Sequence, residues 1–442
     1  MRTDRAWRTV ATALSLALLA PAVAGAQGVA SGAGLPEVVV SPHGPVRTIG
    51  EGVRLAAPGA RVVVLAGTYR EPTVVVDRPL TLEGRGWPTL DGEGARELLQ
   101  VRADDVTVRG LRFTRVGVSM VEDRAAVRVT GARRCTVVGN RFDDTFFGVY
   151  LAKVDGCRIA DNVFAGRGGA ATESTSGNAV HLWSARDVDV VGNHIAGHRD
   201  GIYFEFVRHG RVVDNVSEGN LRYGLHFMYS DSSRYERNVF RDNGSGVAVM
   251  YTNVVEMTGN RFVDNRGAAA YGLLLKEIGD PVLRANLFAR NTVGLLADGT
   301  TRLVLEDNVI RDNGWGLRVL ANVQASRVRR NDFVGNSFDV TTNGRAGIDS
   351  ELAGNYFDDY RGYDLDRDGS GDVPHRPVRL FSLLVERWEP ALVLQRSFFV
   401  GLLDAAERVL PSLTPASLAD ARPAMHPVAA AGRPALAAGG RR

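Results

Sequence analysis

The sequence predicts an all-β fold, a right-handed, single-stranded parallel β-helix with coils of about 22 residues. One recurring phrase consists of a small or charged residue, Asn, any residue, and then usually Phe. Its asparagines are Asn140, Asn162, Asn193, Asn215, Asn238, Asn260, Asn286, Asn308, Asn331 and Asn355. A second phrase is led by Gly, as in Gly224-Leu-His-Phe, and this Gly almost always precedes the next Asn by 14 residues. A short, fixed period without helix-length apolar runs is typical of a strand solenoid.

The repeated Asn and Phe are expected to stack as ladders inside the coil. Asn suits a turn position because it tolerates the left-handed backbone region and bonds nearby backbone groups. Stacked in register, the asparagines can form a hydrogen-bonded ladder, and the phenylalanines two residues later an apolar one. We therefore interpret both ladders as scaffold, and we look for the functional site elsewhere.

Residues 1–26 are predicted to be a signal peptide, because Arg2, Arg5 and Arg8 precede an apolar run that ends in Ala24-Gly25-Ala26. Cleavage after Ala26 implies export, to the periplasm in a Gram-negative cell. The net charge of +3 is too small to indicate a nucleic-acid partner, and the chain carries no basic cluster.

The rest of the chain divides by composition. Residues 27–45 are a Gly-, Pro- and Ala-rich linker, and residues 46–134 form an N-terminal cap, with a short helix near 49–58, and the first coils. Residues 135–363 hold the regular repeats. Residues 376–411 have helical apolar spacing and predict amphipathic helices, which either cover the end of the solenoid or dock on a membrane partner. Residues 412–442 are rich in Ala, Pro and Arg and are expected to be disordered.

The only two cysteines, Cys135 and Cys157, are 22 residues apart, which is one coil. They should therefore occupy the same column on neighbouring coils, about 4.8 Å apart. This spacing suits a disulfide in an oxidising compartment. A two-thiolate Cu(I) site is the rival interpretation.

The segment 364–375 carries an Asp-rich loop that resembles the oxygen-ligand loop of an EF-hand. Its candidate Ca²⁺ ligands are Asp364, Asp366, Asp368 and Asp372. His375 stands where an EF-hand has its twelfth-position Glu, and no flanking helices are evident. The alternative is a solvated acidic turn without an ion.

Several phrases together resemble the NosD family, the periplasmic copper-binding maturation factors of nitrous-oxide reductase. They are Gly67-Thr-Tyr-Arg-Glu-Pro, Thr145-Phe-Phe-Gly-Val-Tyr-Leu, Gly201-Ile-Tyr-Phe-Glu-Phe, Tyr223-Gly-Leu-His-Phe-Met-Tyr-Ser, Tyr271-Gly-Leu-Leu-Leu-Lys-Glu and Tyr363-Asp-Leu-Asp-Arg-Asp-Gly. The likeness covers roughly residues 46–411. It implies a protein that works with an ABC-type ATPase and its membrane permease, receives copper from a lipoprotein chaperone, and helps to load copper into nitrous-oxide reductase.

The positions of residues relative to the phrase-leading Gly of each coil predict a candidate copper face on the outside of the coil. Because side chains alternate along a strand, the second and fourth residues after the phrase-leading Gly point outward. His226 and Met228 then share one face, and Met250 lies one coil from Met228. Thioether and imidazole ligands together select Cu(I), with Glu205 and His181 as neighbours. An apolar partner-docking patch and coincidence remain the alternatives.

The competing functional class is an enzyme, because parallel β-helices often carry polysaccharide lyases and epimerases. Such sites need clustered carboxylates, or Arg or Lys beside bound Ca²⁺. The only lysines are Lys153 and Lys276, and no carboxylate pair recurs along a column. We therefore expect no enzymatic activity. A purely structural scaffold is the third class.

Overall fold

The computed structural model describes residues 36–119, 121–167, 172–344, 349–395, 397–410 and 418–428. The predicted signal peptide and residues 27–35 of the predicted linker lie outside these residues. The rest of that segment is not a simple linker, because Glu37–Val40 is already a strand of the solenoid. The described chain winds into a β-solenoid of about 14 turns with about 23 residues per turn. Every pairing between strands of its three sheets is parallel, as in the pairing of Tyr223–Met228 with Ser245–Asn253. The predicted parallel β-helix is therefore confirmed.

The described strands form three parallel sheets, which we number in the order in which one coil crosses them. The first sheet has 14 strands: Glu37–Val40, Arg61–Leu65, Thr81–Arg85, Thr107–Arg109, Thr136–Val138, Arg158–Ala160, Asp189–Val191, Arg211–Val213, Ser233–Glu236, Val255–Thr258, Val282–Arg284, Val304–Glu306, Gln324–Arg329 and Asp349–Ala353. The second sheet has 13: Thr68–Tyr69, Thr89–Asp91, Arg112–Thr114, Arg141–Asp143, Val163–Ala165, His194–Ala196, Val216–Glu218, Val239–Arg241, Arg261–Val263, Leu287–Ala289, Val309–Arg311, Asp332–Val334 and Tyr356–Phe357. The third sheet has 12: Val74–Val76, Leu99–Val101, Ala125–Thr130, Phe147–Ala152, Val180–Trp183, Asp200–Glu205, Tyr223–Met228, Ser245–Asn253, Tyr271–Gly279, Val293–Asp298, Trp315–Val319 and Phe338–Thr341.

The repeated asparagines form the predicted ladder at the corner between the first and second sheets. The backbone N–H and the side-chain Nδ2 of each Asn both donate to the Oδ1 of the Asn one coil further on. For Asn238 these distances to Asn260 are 3.0 and 2.9 Å. The side chain of Asn238 is fully buried. Each rung therefore satisfies polar groups that the apolar core would otherwise leave unpaired.

The left-handed residue at this corner is the one before the Asn, not the Asn as the sequence analysis suggested. Asp214 has a φ of 56°, Arg237 of 53° and Gly259 of 67°. The ladder Asn keeps an ordinary backbone because its amide is directed into the coil to bond the next rung. The preceding residue makes the reversal, which explains why it is so often Gly or Asp.

A second asparagine ladder, which the sequence analysis missed, runs five residues after the first. It consists of Asn220, Asn243, Asn265, Asn291, Asn313 and Asn336. Its rungs bond in the same way, with the Asn243 N–H 3.1 Å from Asn265 Oδ1. Between the two ladders the phenylalanines stack as predicted. The ring centroids of Phe262 and Phe288, for example, are 4.7 Å apart.

Separate segments close the two ends of the solenoid core. At the N-terminal end, helix α1 (Ile49–Leu55) begins at the N-cap Thr48, whose side chain accepts from the N–H of Glu51. At the other end, residues 418–428 return to the last coil and are not disordered as predicted. The rest of the predicted disordered tail, 412–417 and 429–442, lies outside the described residues. Asp420 is fully buried there and accepts three hydrogen bonds of 2.9–3.1 Å from Gly354 and Asn355. Its carboxylate thus takes the place of the next ladder Asn.

Short helices follow the last coil, as predicted for 376–411. They are α2 (Leu380–Arg387), a 3-10 helix (Glu389–Leu394) and α3 (Phe398–Val409). Phe381 of α2 packs on Phe338 of the third sheet, with ring centroids 6.0 Å apart. Glu386 accepts from Arg318 on the same sheet at 2.7 Å. Within the described residues, no helix has the length and apolar character needed to cross a membrane.

Candidate functional site

The outer face of the third sheet brings the predicted copper residues together in two columns. Strand pairing places Tyr150, His181, Tyr203, His226 and Ala248 in the first column. The second column reads Ala152, Trp183, Glu205, Met228, Met250, Lys276 and Asp298. The parallel register keeps each column in line, so neighbouring members lie about 4.8 Å apart.

The first column forms an aromatic stack in which His181 is held neutral. Its ring lies between those of Tyr150 and Tyr203, with centroid distances of 4.6 and 4.7 Å. Burial, assisted by the nearby positive charge of Arg199, lowers the pKa of His181 to about 3. The Asn178 amide contacts Nδ1 at 3.0 Å. His181 therefore belongs to the wall of the site and carries no charge that would repel a bound cation.

His226 continues this column but turns away from solvent. Although it points out of the coil, the residue is only 7% exposed. Its ring packs between Tyr203, 5.1 Å away, and Tyr223, 4.7 Å away. The Nε2 atom is buried and has no hydrogen-bond partner. Since a buried polar atom is normally satisfied, this nitrogen lacks the partner that its burial calls for.

The second column supplies the sulfur atoms. Met228 and Met250 are adjacent and half-buried, and the hydroxyl of Tyr203 lies 3.9 Å from the Met228 sulfur. Glu205 is the neighbour of Met228 on one side, and Lys276 is the neighbour of Met250 on the other. The two thioethers therefore lie between a negative and a positive side chain, with His226 two residues from Met228 on one strand.

An exposed aromatic column that the sequence analysis missed borders the methionines. Phe206, Tyr229 and Tyr251 follow the outward positions by one residue and stack with centroids 5.2 and 5.3 Å apart. Each has a φ between 51° and 55°, a conformation that bulky residues rarely adopt. The sequence carried a signal for this column, because an aromatic residue recurs one position after Glu205, Met228 and Met250. These rings extend the apolar surface beside Met228 and Met250.

The acidic loop gathers three of its four predicted ligands. Carboxylate oxygens of Asp364, Asp366 and Asp368 lie within 4.8 Å of one another. Asp372 lies outside this group and accepts from the N–H of Leu365 at 2.7 Å. The guanidinium of Arg422 contacts Asp368. The Ser370 N–H and Arg422 hold the pKa of Asp368 below its usual range.

Cys135 and Cys157 are joined by a disulfide across adjacent coils, with Cα atoms 4.6 Å apart. Both residues are buried in the core. As a disulfide, the pair offers no thiolate for the rival two-thiolate copper site.

The C-terminal helices lie on the same outer face as the candidate copper residues. Three strand steps separate the strand of Met250 from that of Trp315, which corresponds to about 14 Å. The helices bury Phe381, Val385 and Val400 against this end of the sheet. Their other side exposes large apolar residues, with Phe398 87% and Leu402 57% exposed. Such an apolar surface is typical of an interaction site.

A protein-family model and two relatives from other organisms match this chain. A family model described as periplasmic copper-binding protein (NosD) matches residues 167–362. Two relatives bear the name probable ABC transporter binding protein NosD. That of Pseudomonas aeruginosa is 30% identical over 402 residues, covering 87% of this chain and 92% of the relative. That of Stutzerimonas stutzeri is 25% identical over 380 residues, covering 81% and 85%.

Among solved structures, a PL6 alginate lyase in complex with a trisaccharide is similar with a TM-score of 0.53. It is 13% identical and covers 73% of this chain and 85% of the lyase. This likeness concerns the fold alone.

Proposed function

This chain belongs to the NosD family, and we propose that it is a periplasmic protein that carries Cu(I) for cluster assembly in nitrous-oxide reductase. The family description supports copper binding and the periplasm. The names of the relatives support work with an ABC transporter and describe no enzyme. The observation that carries the proposal is the meeting of His226, Met228 and Met250 on one outer face.

The proposed ligands suit Cu(I) as cargo. Two polarizable thioethers and one imidazole form a soft, neutral donor set, which favours Cu(I) over harder divalent ions. His226 contributes an unpartnered Nε2. Glu205 beside Met228 adds negative charge that attracts the ion without being needed as a ligand. The half-buried methionines leave the ion accessible for transfer to another protein.

We further propose that the exposed face of α2 and α3 docks on the membrane permease, whose ATPase acts on the other side of the membrane. Phe398 and Leu402 offer the apolar contact. This arrangement would hold the copper face about 14 Å along the sheet from the docking helices. A lipoprotein chaperone is the proposed copper donor, and nitrous-oxide reductase is the proposed acceptor.

The acidic loop is proposed to hold Ca²⁺ as a structural ion. Asp364, Asp366 and Asp368 provide converging carboxylates, which repel one another unless a cation neutralises them. Arg422 already offsets part of this charge, so the ion would complete the stabilisation of the end of the solenoid rather than take part in copper transfer.

The decisive test combines Met228→Leu, Met250→Leu and His226→Gln, which preserve side-chain volume. Cu(I) affinity, measured anaerobically by competition with a chromogenic chelator, should fall at least about 100-fold, or 2.7 kcal/mol. In a strain that lacks the gene, the triple variant should yield reductase without its catalytic copper cluster.

Met257→Leu and His209→Gln provide matched controls. Met257 is buried in the core and His209 is on the surface of another part of the coil. Both variants should retain wild-type affinity and maturation. A folded triple variant with unchanged Cu(I) affinity would place the copper site elsewhere, and unchanged maturation as well would remove this face from the function.

A further inference from the structure

An ion pair between a partly exposed Arg222 and a buried Asp200 lies beside the proposed copper ligand His226. Asp200 begins one strand of the third sheet, and Arg222 precedes the next strand, on which His226 lies. The Arg222 guanidinium meets both carboxylate oxygens of Asp200, with Nε and one terminal nitrogen each 3.2 Å away. Asp200 is fully buried, whereas the Arg222 side chain is 32% exposed.

The same guanidinium reaches the inner nitrogen of His226. One terminal nitrogen of Arg222 is 3.4 Å from Nδ1. The nearest Asp200 oxygen is 3.9 Å from the same atom. In this structure Arg222 is therefore the partner of Nδ1, and the Asp200 carboxylate is the nearest alternative partner.

The identity of the partner at Nδ1 decides where the imidazole carries its proton. A guanidinium can only donate, so Nδ1 beside Arg222 must be the unprotonated acceptor. The single proton of the neutral ring is then on Nε2, which leaves that nitrogen without the lone pair that a metal needs. Metal-binding histidines instead donate the other ring N–H to a carboxylate or carbonyl oxygen. Asp200 is placed to be that acceptor.

We propose that Arg222 is a positioning residue that holds His226 in the tautomer unable to bind Cu(I) through Nε2. Cu(I) uptake then requires Arg222 to release Nδ1, so that Asp200 accepts the Nδ1–H and Nε2 binds the ion. One proton leaves Nε2 and one is taken up by Nδ1, so the protonation of the ring does not change overall. This inference rests on the proposed copper function of His226.

The arrangement provides a way to bind copper and still release it. With Arg222 on Nδ1, only the two thioethers of Met228 and Met250 bind the ion, and they bind it weakly. With Asp200 on Nδ1, the imidazole joins the ligand set. Because Arg222 is the exposed member of the cluster, it is the member that can move without opening the core.

The test uses Arg222→Lys in the full-length protein. Lysine keeps a positive charge beside the buried Asp200 but lacks the planar fork that contacts two partners at once. Cu(I) affinity should rise about tenfold, or 1.4 kcal/mol. Asp200→Asn should lower it by a similar factor, and Arg234→Lys, at an exposed ion pair on the first sheet, should leave it unchanged.

A second readout is independent of copper. In the metal-free protein, ¹⁵N NMR of His226 should show the proton on Nε2, and Arg222→Lys should move it to Nδ1. A metal-free wild type with the proton already on Nδ1 would overturn the inference. Unchanged affinity in Arg222→Lys, with His226→Gln still weakening binding, would overturn it and leave the proposed function standing. Unchanged affinity in His226→Gln would overturn it and remove His226 from the proposed ligand set, and the triple variant would then decide whether Met228 and Met250 bind copper.

Discussion

Inside the coil, the column that contains Asn238 repeats asparagine from coil to coil, whereas outside it the column that contains His226 changes at almost every step. The inner column is restricted by packing, because each Asn must bond the next one across a buried core. The outer column has no such requirement. In this solenoid, therefore, a repeated inward residue indicates a role in folding. An unusual residue at a non-repeating outward position indicates a candidate functional residue.

The largest effect on stability is expected from breaking a rung in the middle of the first ladder. Asn238→Ala leaves the buried Asn215 N–H without its acceptor, 3.0 Å away. It also removes one acceptor of Asn215 Nδ2, 3.0 Å away, while the carbonyls of Val190 and Val213 remain. We expect a loss of about 3 kcal/mol in the free energy of unfolding, measured by chemical denaturation. The control is Asn322→Ala, at an exposed bond to Asp298, which should cost less than about 0.5 kcal/mol. Equal losses would contradict the inside–outside distinction.

Removal of the last acceptor of the first ladder, Asp420, should also lower the free energy of unfolding, but by less than the loss of a central rung. Asp420→Ala leaves the N–H groups of Gly354 and Asn355 without their acceptor, and we expect a cost of about 2 kcal/mol. Asp420→Asn, which keeps one acceptor oxygen, should cost about half as much. Hydrogen exchange should show the change mainly in the last coils. Unaltered protection there would mean that residues 418–428 do not act as a cap.

Substitution of outward-facing apolar residues on α3 should weaken association with the permease complex and leave the folding of the chain intact. Phe398→Ser with Leu402→Ser alters the exposed side of α3 and spares Val400, which is buried. Co-purification with the permease complex should fall at least about tenfold, while the free energy of unfolding changes by less than about 0.5 kcal/mol. Val121→Ser, at a residue that is 96% exposed elsewhere, is the control. Point changes are sharper than truncation after residue 378, which would also remove the Asp420 cap.

The smallest effect is expected at the acidic loop. Chelation of Ca²⁺ with EGTA should lower the melting temperature by a few degrees, because the carboxylates of Asp364, Asp366 and Asp368 then repel one another. Asp366→Ala should lower the response, and EGTA should not shift the variant further. Cu(I) affinity should stay at the wild-type value in both cases. The absence of any thermal response to Ca²⁺ or EGTA would argue for a solvated turn.

Much of the fold could be predicted because a solenoid repeats its own contacts. The spacing of the Asn and Gly phrases predicted which residues share a column, and the pairing of His226, Met228 and Met250 with their neighbours follows that count. The second ladder was also present in the spacing, since Asn243, Asn265 and Asn291 each follow a first-ladder Asn by five residues. Its signal is weaker than that of the first ladder, because the same position holds Thr145, Arg167 and His198 in earlier coils.

The sequence by itself determined the coil, the inward ladders and the membership of the outward columns, because a constant period sets the register of parallel strands. Only the tertiary structure decided how buried an outward residue is. His226 is enclosed because Tyr203 and Tyr223 pack against its ring, and its Nδ1 lies near Arg222 of the same coil and Asp200 of the preceding coil. Likewise, Asp420 completes the ladder from 65 residues beyond Asn355. Such contacts depend on side-chain orientation and on segments outside the repeat, which no periodic pattern encodes.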